Sequence, residues 1–351
     1  MSRAERKRDH IKHALSTSTE LRNLFDDIRL VHRALPDIGI GDIDLTPETG
    51  DLQLKSPVFI NAMTGGGGLE TEEINCLLAR VAKKTGIAMA VGSQMAALKD
   101  EQEIASYAGV REENPDGIIF ANLGSEVTVR QARQAIDMIG ANAIQIHLNV
   151  IQELTMPEGD RDFTGALGRI EAIADAVDVP VIVKETGFGI SAEAAAKLAG
   201  INITALDISG CGGTNFAAVE NERRQRKLAF FQSWGVPTPA AIIEAKSVFE
   251  RPIFASGGIR GSEDVLKSLL LGANACGLAG SFLRTAIEDG EEALIMEVVD
   301  LHDDLRLMMT ALGAKTVPEI KKCPAILSGE LHHYLTMRGF DASIYAKERK
   351  N

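Results

Sequence analysis

The sequence predicts an α/β protein built as a (β/α)₈ TIM barrel with N-terminal and C-terminal extensions. Three observations predict it. Short β-rich apolar runs alternate with longer amphipathic stretches between residues 57 and 283, the runs number eight, and each ends in polar or glycine-rich sequence. Such alternation is the pattern of repeated βαβ units and a parallel sheet. Eight units suit a closed barrel, whereas a doubly wound sheet usually has fewer strands and an early GxGxxG turn.

In order, the runs are 57–63, 86–92, 117–124, 143–149, 179–185, 203–209, 252–258 and 275–283. Apolar residues at helical spacing over 71–85, 127–139, 164–176, 192–199, 240–249 and 262–271 supply connecting helices, while 96–111 is shorter and less regular. The expected organisation is one domain over 1–351, with a barrel core at about 57–285, an N-terminal extension at 1–56 and a C-terminal helical extension at 286–351. Within the last, 288–311 reads as a long closing helix. The connection 215–235 contains ENERRQRK, too charged for a core and long enough for a mobile lid.

Composition narrows the function. A formal net charge of −12 argues against a general nucleic-acid binder, so an anionic ligand would need a local basic pocket. Cys76, Cys211, Cys276 and Cys323 are scattered without a CxxC pair, which argues against a disulfide framework or zinc site and suits a reducing cytoplasm. The charged start MSRAERKRDHIKHAL lacks a signal-peptide core, and no apolar run is long enough to span a membrane.

The ends of the runs carry the chemistry. SGGIRG at 256–261 and GLAGS at 277–281 follow the seventh and eighth strands, where barrels often bind phosphate through glycine-rich loops and a short helix. Ala62, Met63 and Thr64 after the first strand, Ser93 after the second, Asn122 on the third and Lys184 on the fifth could supply a flavin with an apolar wall, polar edge partners and a cation. Lys184 can alternatively be read as half of a structural ion pair. Alternation puts Gln145, His147 and Asn149 on one face of the fourth strand, beside Gln152 and Glu153. Glu153 could be a general base or a Mg²⁺ ligand. Arg6 and Lys7 belong to a basic knot that is either a solvated helix face or a clamp for a substrate phosphate. Cys211, in a glycine-rich loop, is a candidate nucleophile, while Ser209 and Thr214 suit hydrogen bonding to a flavin or phosphate.

RKRDHI, NAMTGGG, VGSQMAAL, HLNVIQE, VKETGFGIS, DISGCGGTNF and ASGGIRGSEDVLKSLLLGANACGLA together resemble the type 2 isopentenyl-diphosphate Δ-isomerases, over most of the chain and in the family's order. The resemblance implies an FMN- and Mg²⁺-dependent isomerase interconverting isopentenyl diphosphate and dimethylallyl diphosphate by a 1,3-proton shift, with NADPH or another reductant keeping the flavin reduced. It further implies FMN contacts from Ala62, Met63, Thr64, Ser93, Asn122, Lys184, Ser209, Thr214, Gly258, Arg260, Ala279 and Gly280. Substrate contacts would come from Arg6, Lys7, His147, Asn149 and Gln152, and Mg²⁺ from Glu153. Gln152, His147 and Lys184 would act with reduced FMN in catalysis. The expected assembly is a homo-oligomer, a tetramer or octamer, in the cytoplasm. The alternatives are an FMN-dependent oxidoreductase of a hydroxy acid or dihydropyrimidine, a purine-nucleotide dehydrogenase using Cys211, and a non-enzymatic flavin- or phosphate-binding protein.

Overall fold

Eight short strands with both faces buried can be satisfied only if one face meets helices and the other meets its own sheet closed on itself. The computed structural model, which describes residues 23–63 and 67–349, has that arrangement. Strand β1 (Ile28–Leu30) precedes the barrel, and β10 (Ala325–Leu327) follows it. Between them, β2 (Val58–Ile60), β3 (Ala88–Ala90), β4 (Ile119–Gly124), β5 (Ala143–Leu148), β6 (Val181–Glu185), β7 (Ala205–Asp207), β8 (Ile253–Ser256) and β9 (Ala275–Leu278) pair in parallel and in order, with β9 closing on β2.

Alternation decides which side chain faces where. Val58 and Ile60 join the outer core beneath the helices, while Phe59 between them points into the barrel. There Phe59 packs against Phe120 and Phe254 at centroid distances of 5.9 and 5.5 Å. Ala88, Ala90, Ala143, Ala205 and Ala275 complete that layer, so three rings fill a space that small residues leave open. Polar side chains replace this apolar packing toward the strands' C-terminal ends.

Helix α1 (Leu69–Thr85) follows β2, and the irregular 96–111 segment resolves into α2 (Met95–Lys99) and α3 (Ala105–Glu113). Next come α4 (Val129–Ile139), α5 (Val150–Thr155), α6 (Ala166–Ala174) and α7 (Ala192–Ala199). Beyond these lie α8 (Phe216–Glu222), α9 (Thr238–Lys246), α10 (Ser262–Leu271), α11 (Gly280–Glu288) and α12 (Glu291–Leu312). The eighth run was read too long. Its strand stops at Leu278, because Ala279 leaves the extended conformation (φ −125°, ψ −72°) and caps α11, which crosses the expected boundary at 285.

The charged connection also differs from a solvated loop. In α8, Ala217, Val219, Glu220 and Asn221 are buried. Arg223 pairs with Glu220 at 2.6 Å and with Glu158, which neutralises the buried acid. Asn221 closes the following turn by accepting from Leu228 N at 2.7 Å and donating to Leu228 O at 3.2 Å.

The flanking segments hold each other. β1 pairs antiparallel with β10, Ile28 opposite Leu327. After α13 (Val317–Ile320), α14 (Gly329–Met337) leads to Arg338, whose guanidinium binds Glu193 and the fully buried Glu244 on α9. Among the described residues, no helix is long and apolar enough to cross a membrane.

Candidate active site

A cavity of about 1300 Å³ opens at the C-terminal ends of the barrel strands. Ala62, Met63, Ser93, Asn122, His147, Asn149, Gln152, Glu153, Lys184, Ser209, Thr214, Gly258, Arg260, Ala279 and Gly280 all line it. Arg6, Lys7 and Thr64 lie outside the described residues.

One end of the cavity is built by two loops packed backbone to backbone. Gly257 and Gly258 have φ of 91° and 72°, in the left-handed region where a side chain is strained. A Cβ on Gly257 would lie 2.0 Å from Gly210 O, and one on Gly213 would lie 2.6 Å from Gly258 N. Only glycine permits this approach. Asn23 adds a donor from the N-terminal side, its Nδ2 bonding Gly258 O at 2.8 Å. At the start of α11, Ser281 Oγ is buried and has no hydrogen-bond partner among the described residues. Such an orphan at a helix N-terminus, beside glycine backbone, suits an anionic oxygen.

Lys184 forms the floor on β6 and is 5% exposed. Its ammonium donates to Glu185 O at 2.6 Å and makes no ion pair among the described residues, contrary to the structural ion-pair reading. The Glu185 carboxylate turns away to accept main-chain N–H bonds from Gly187 and Gly189 at 2.7 and 3.2 Å, with Phe188 between them at 2.5 Å. Burial nevertheless pushes its pKa up to about 7.

On the neighbouring strand, β5 presents its polar face, with His147 in register with Lys184. His147 Nδ1 lies 2.8 Å from Asn122 Oδ1, and Asn149 Nδ2 donates to Glu153 Oε1 at 2.9 Å. Glu153 also accepts from Asp160 N at 2.8 Å, so its carboxylate is held in place, and burial raises its pKa above the ordinary range. Gln152 Nε2 donates to Glu220 Oε1 at 3.3 Å, tying α5 to α8. No cluster of three or more His, Cys, Asp or Glu side chains suited to a metal occurs among the described residues. A single fixed carboxylate is still a sufficient protein ligand for Mg²⁺ where water and a substrate diphosphate supply the other oxygens.

Arg260 lines the cavity, whereas Cys211 does not. Arg260 reaches the wall, but its guanidinium is engaged by Asp264 at 2.8 Å and Asp26 at 2.7 Å. Cys211 is buried behind the wall rather than lining it, and burial pushes its thiol up to about 11. Both facts oppose a thiolate nucleophile. Asn61, Thr186, Gly212, Gly213 and Arg284 line the cavity without having been singled out in the sequence, and Ser256 and Ser281 line it from the two glycine-rich motifs expected to bind phosphate. For Gly213 the GCGG spacing was a usable signal; Asn61 looked like an ordinary strand end.

The site and chain can be compared with known proteins. A family model described as FMN-dependent dehydrogenase matches residues 159–325. In solved structures, a mandelate oxidase variant with 2-hydroxy-phenylacetamide superposes with a TM-score of 0.65 at 15% identity, covering 93% of this chain and 99% of that one. A flavocytochrome b2 variant with sulfite bound gives 0.65 at 18%, covering 91% and 83%. At those identities the likeness speaks for the fold alone. Curated relatives are much more similar. The isopentenyl-diphosphate delta-isomerase of Bacillus cereus (strain AH820) is 58% identical over 348 residues, 99% of this chain and 100% of that protein. Its counterpart in Bacillus pumilus (strain SAFR-032) is 53% identical over 347 residues, 99% and 98% of the two chains. With more than half of its residues shared along nearly its whole length, the chain belongs to the isopentenyl-diphosphate delta-isomerase family.

Proposed function

We propose that this chain is an FMN-dependent isomerase interconverting isopentenyl diphosphate and dimethylallyl diphosphate. The observation that carries the reading is the full-length identity to relatives of that name, joined to a barrel-mouth cavity with a glycine-lined anion cradle at one end and a polar wall on β5. The reaction adds a proton to the terminal alkene carbon and removes one from the carbon on the other side of the branch, with no net change in electrons. Reduced FMN, when bound, supplies an electron-rich surface and a nitrogen able to exchange a proton. In this reading, Gly258, Ala279, Gly280 and Ser281 hold its phosphate by backbone N–H groups and a hydroxyl. Arg260 flanks that end. Ala62, Met63, Thr64, Ser93, Asn122, Ser209 and Thr214 bound the ring, and the Lys184 ammonium compensates negative charge on it.

His147, Asn149 and Gln152 face the substrate, with His147 and Gln152 placed to hold or move a proton. Glu153 holds Mg²⁺ against the diphosphate, and Arg6 and Lys7 clamp the same group. Remote binding of the diphosphate then positions a small hydrocarbon tail that offers nothing else to grip. NADPH is the proposed reductant. Four free thiols support a reducing, cytoplasmic setting, and exposed Met296, Val299 and Leu307 at helical spacing on α12 support a homo-oligomer, as a tetramer or octamer.

Anaerobic incubation of the reduced FMN-loaded protein with isopentenyl diphosphate and Mg²⁺ tests the proposal. Dimethylallyl diphosphate should accumulate over many turnovers while the flavin stays reduced. No product, or one flavin oxidised per product, would overturn it in favour of an oxidoreductase.

A further inference from the structure

At the base of the cavity, four polar side chains on or just after different barrel strands form one continuous hydrogen-bonded chain that ends on His147. Asp207 on β7 starts it. Its Oδ1 receives Ser256 Oγ at 2.6 Å and Ser209 N at 3.3 Å, and its Oδ2 receives Asn61 Nδ2 at 2.7 Å. Gln145 Nε2 donates to Asn61 Oδ1 at 3.2 Å, and Asn122 Nδ2 donates to Gln145 Oε1 at 3.3 Å. Asn122 Oδ1 then meets His147 Nδ1 at 2.8 Å. Asp207 and Gln145 are fully buried, and Asn61 and Asn122 nearly so.

An amide has one acceptor end and one donor end, so fixing either end fixes the other. The first amide is fixed twice. A carboxylate that takes donors on both oxygens presents only acceptors to Asn61, and the main-chain N–H of Ala62, which can only donate, sits 2.8 Å from Asn61 Oδ1. Asn61 must therefore show oxygen to Gln145, Gln145 oxygen to Asn122, and Asn122 oxygen to His147. The last link leaves no choice at the ring. A carbonyl oxygen at 2.8 Å requires a hydrogen on Nδ1, and a neutral imidazole protonated there carries its lone pair on Nε2.

We infer that Asp207, Asn61 and Gln145 are positioning residues that set the tautomer of neutral His147, transmitting the polarity of one carboxylate across the barrel so that Nδ1 is protonated and Nε2 is the proton acceptor. The consequence for catalysis rests on the proposed placement of His147 against the substrate; the tautomer itself does not. None of the three positioning residues need touch substrate. Burial preserves the relay, because water, which donates and accepts alike, would erase the polarity at any link it reached.

The test is nitrogen NMR of the FMN-loaded full chain labelled with ¹⁵N-histidine, with the His147 resonances assigned by their loss in His147→Gln. In the parent at a pH where the ring is neutral, Nδ1 should show the protonated and Nε2 the unprotonated shift. Gln145→Met keeps the length, removes both polar ends and frees Asn122 to turn over. It should shift more than half of the ring to the Nε2–H form and lower kcat at least ten-fold with FMN still bound. A parent whose His147 is protonated on Nε2 would overturn the inference without any variant, so it stays testable even if Gln145→Met fails to fold. Retention of the parent tautomer in a folded Gln145→Met would overturn it as well. Because the measurement needs no turnover, a failed isomerase assay would leave its outcome readable.

Discussion

Glu153 illustrates how a single side chain carries both a metal and a pH dependence. Its carboxylate is half-buried, fixed by Asn149 and Asp160 N, and raised above the ordinary 4.5 first by burial. A hard cation binds the ionised form. Mg²⁺ binding should therefore weaken as the pH falls, with its half-point above that of a free glutamate. Glu153→Gln keeps the size and one acceptor but loses the charge. It should raise the Mg²⁺ concentration for half-maximal activity by about 10-fold or more, with FMN affinity unchanged. Mg²⁺ titration of the variant checks this, and an unchanged half-point would remove Glu153 as a ligand. Residues of this kind were legible in the sequence because they cluster: Gln145, His147, Asn149, Gln152 and Glu153 share one strand end and the helix after it. Asp207 was not legible. Its partner Asn61 is 146 residues away, and a lone acid at the end of an apolar strand gives no sign of what it will meet.

Among elements, the glycine loops after β7 and β8 matter through their fit to each other. Gly213 tolerates no side chain because a Cβ would stand 2.6 Å from Gly258 N, the amide proposed to face the FMN phosphate. Gly213→Ala should displace that amide rather than unfold the barrel. Overpacking of this type costs about 1–3 kcal/mol, and if it falls on the loaded state FMN binds roughly ten-fold more weakly. Fluorescence titration of the apoprotein with FMN measures it, with far-UV circular dichroism as the control for folding; parent-like affinity would show that the loops are not coupled. All eight barrel strands were legible, since each is a short apolar run bounded by glycine or polar residues. The burial of α8 was not. ENERRQRK reads as solvated from its charges, whereas in the fold Glu220 is fully buried with Arg223 and Gln152 among its partners.

At the scale of the molecule, the segment after the barrel is fastened to it by a few strong polar contacts. Glu244 is fully buried and receives Arg338, Tyr334 OH at 3.2 Å and Ala192 N at 2.9 Å. Arg338→Ala would leave that acid without its cation. Arg338 is itself a third exposed, which reduces the expected loss to on the order of 2–3 kcal/mol. Chemical denaturation should show a lower midpoint with FMN affinity preserved, and a parent-like midpoint would mean that the remaining donors suffice. The pairing of β1 with β10 has a consequence in time. Phe25 to Leu30 lie two residues or more beyond Asn23, which holds Gly258 in the anion cradle, and they are anchored by residues 325–331. During synthesis the ribosome releases the front of the chain some 300 residues before its partner strand exists. The cradle's outer rim is therefore expected to be finished only after residues 325–331 have emerged, which would make cofactor loading by the proposed route a late event in synthesis.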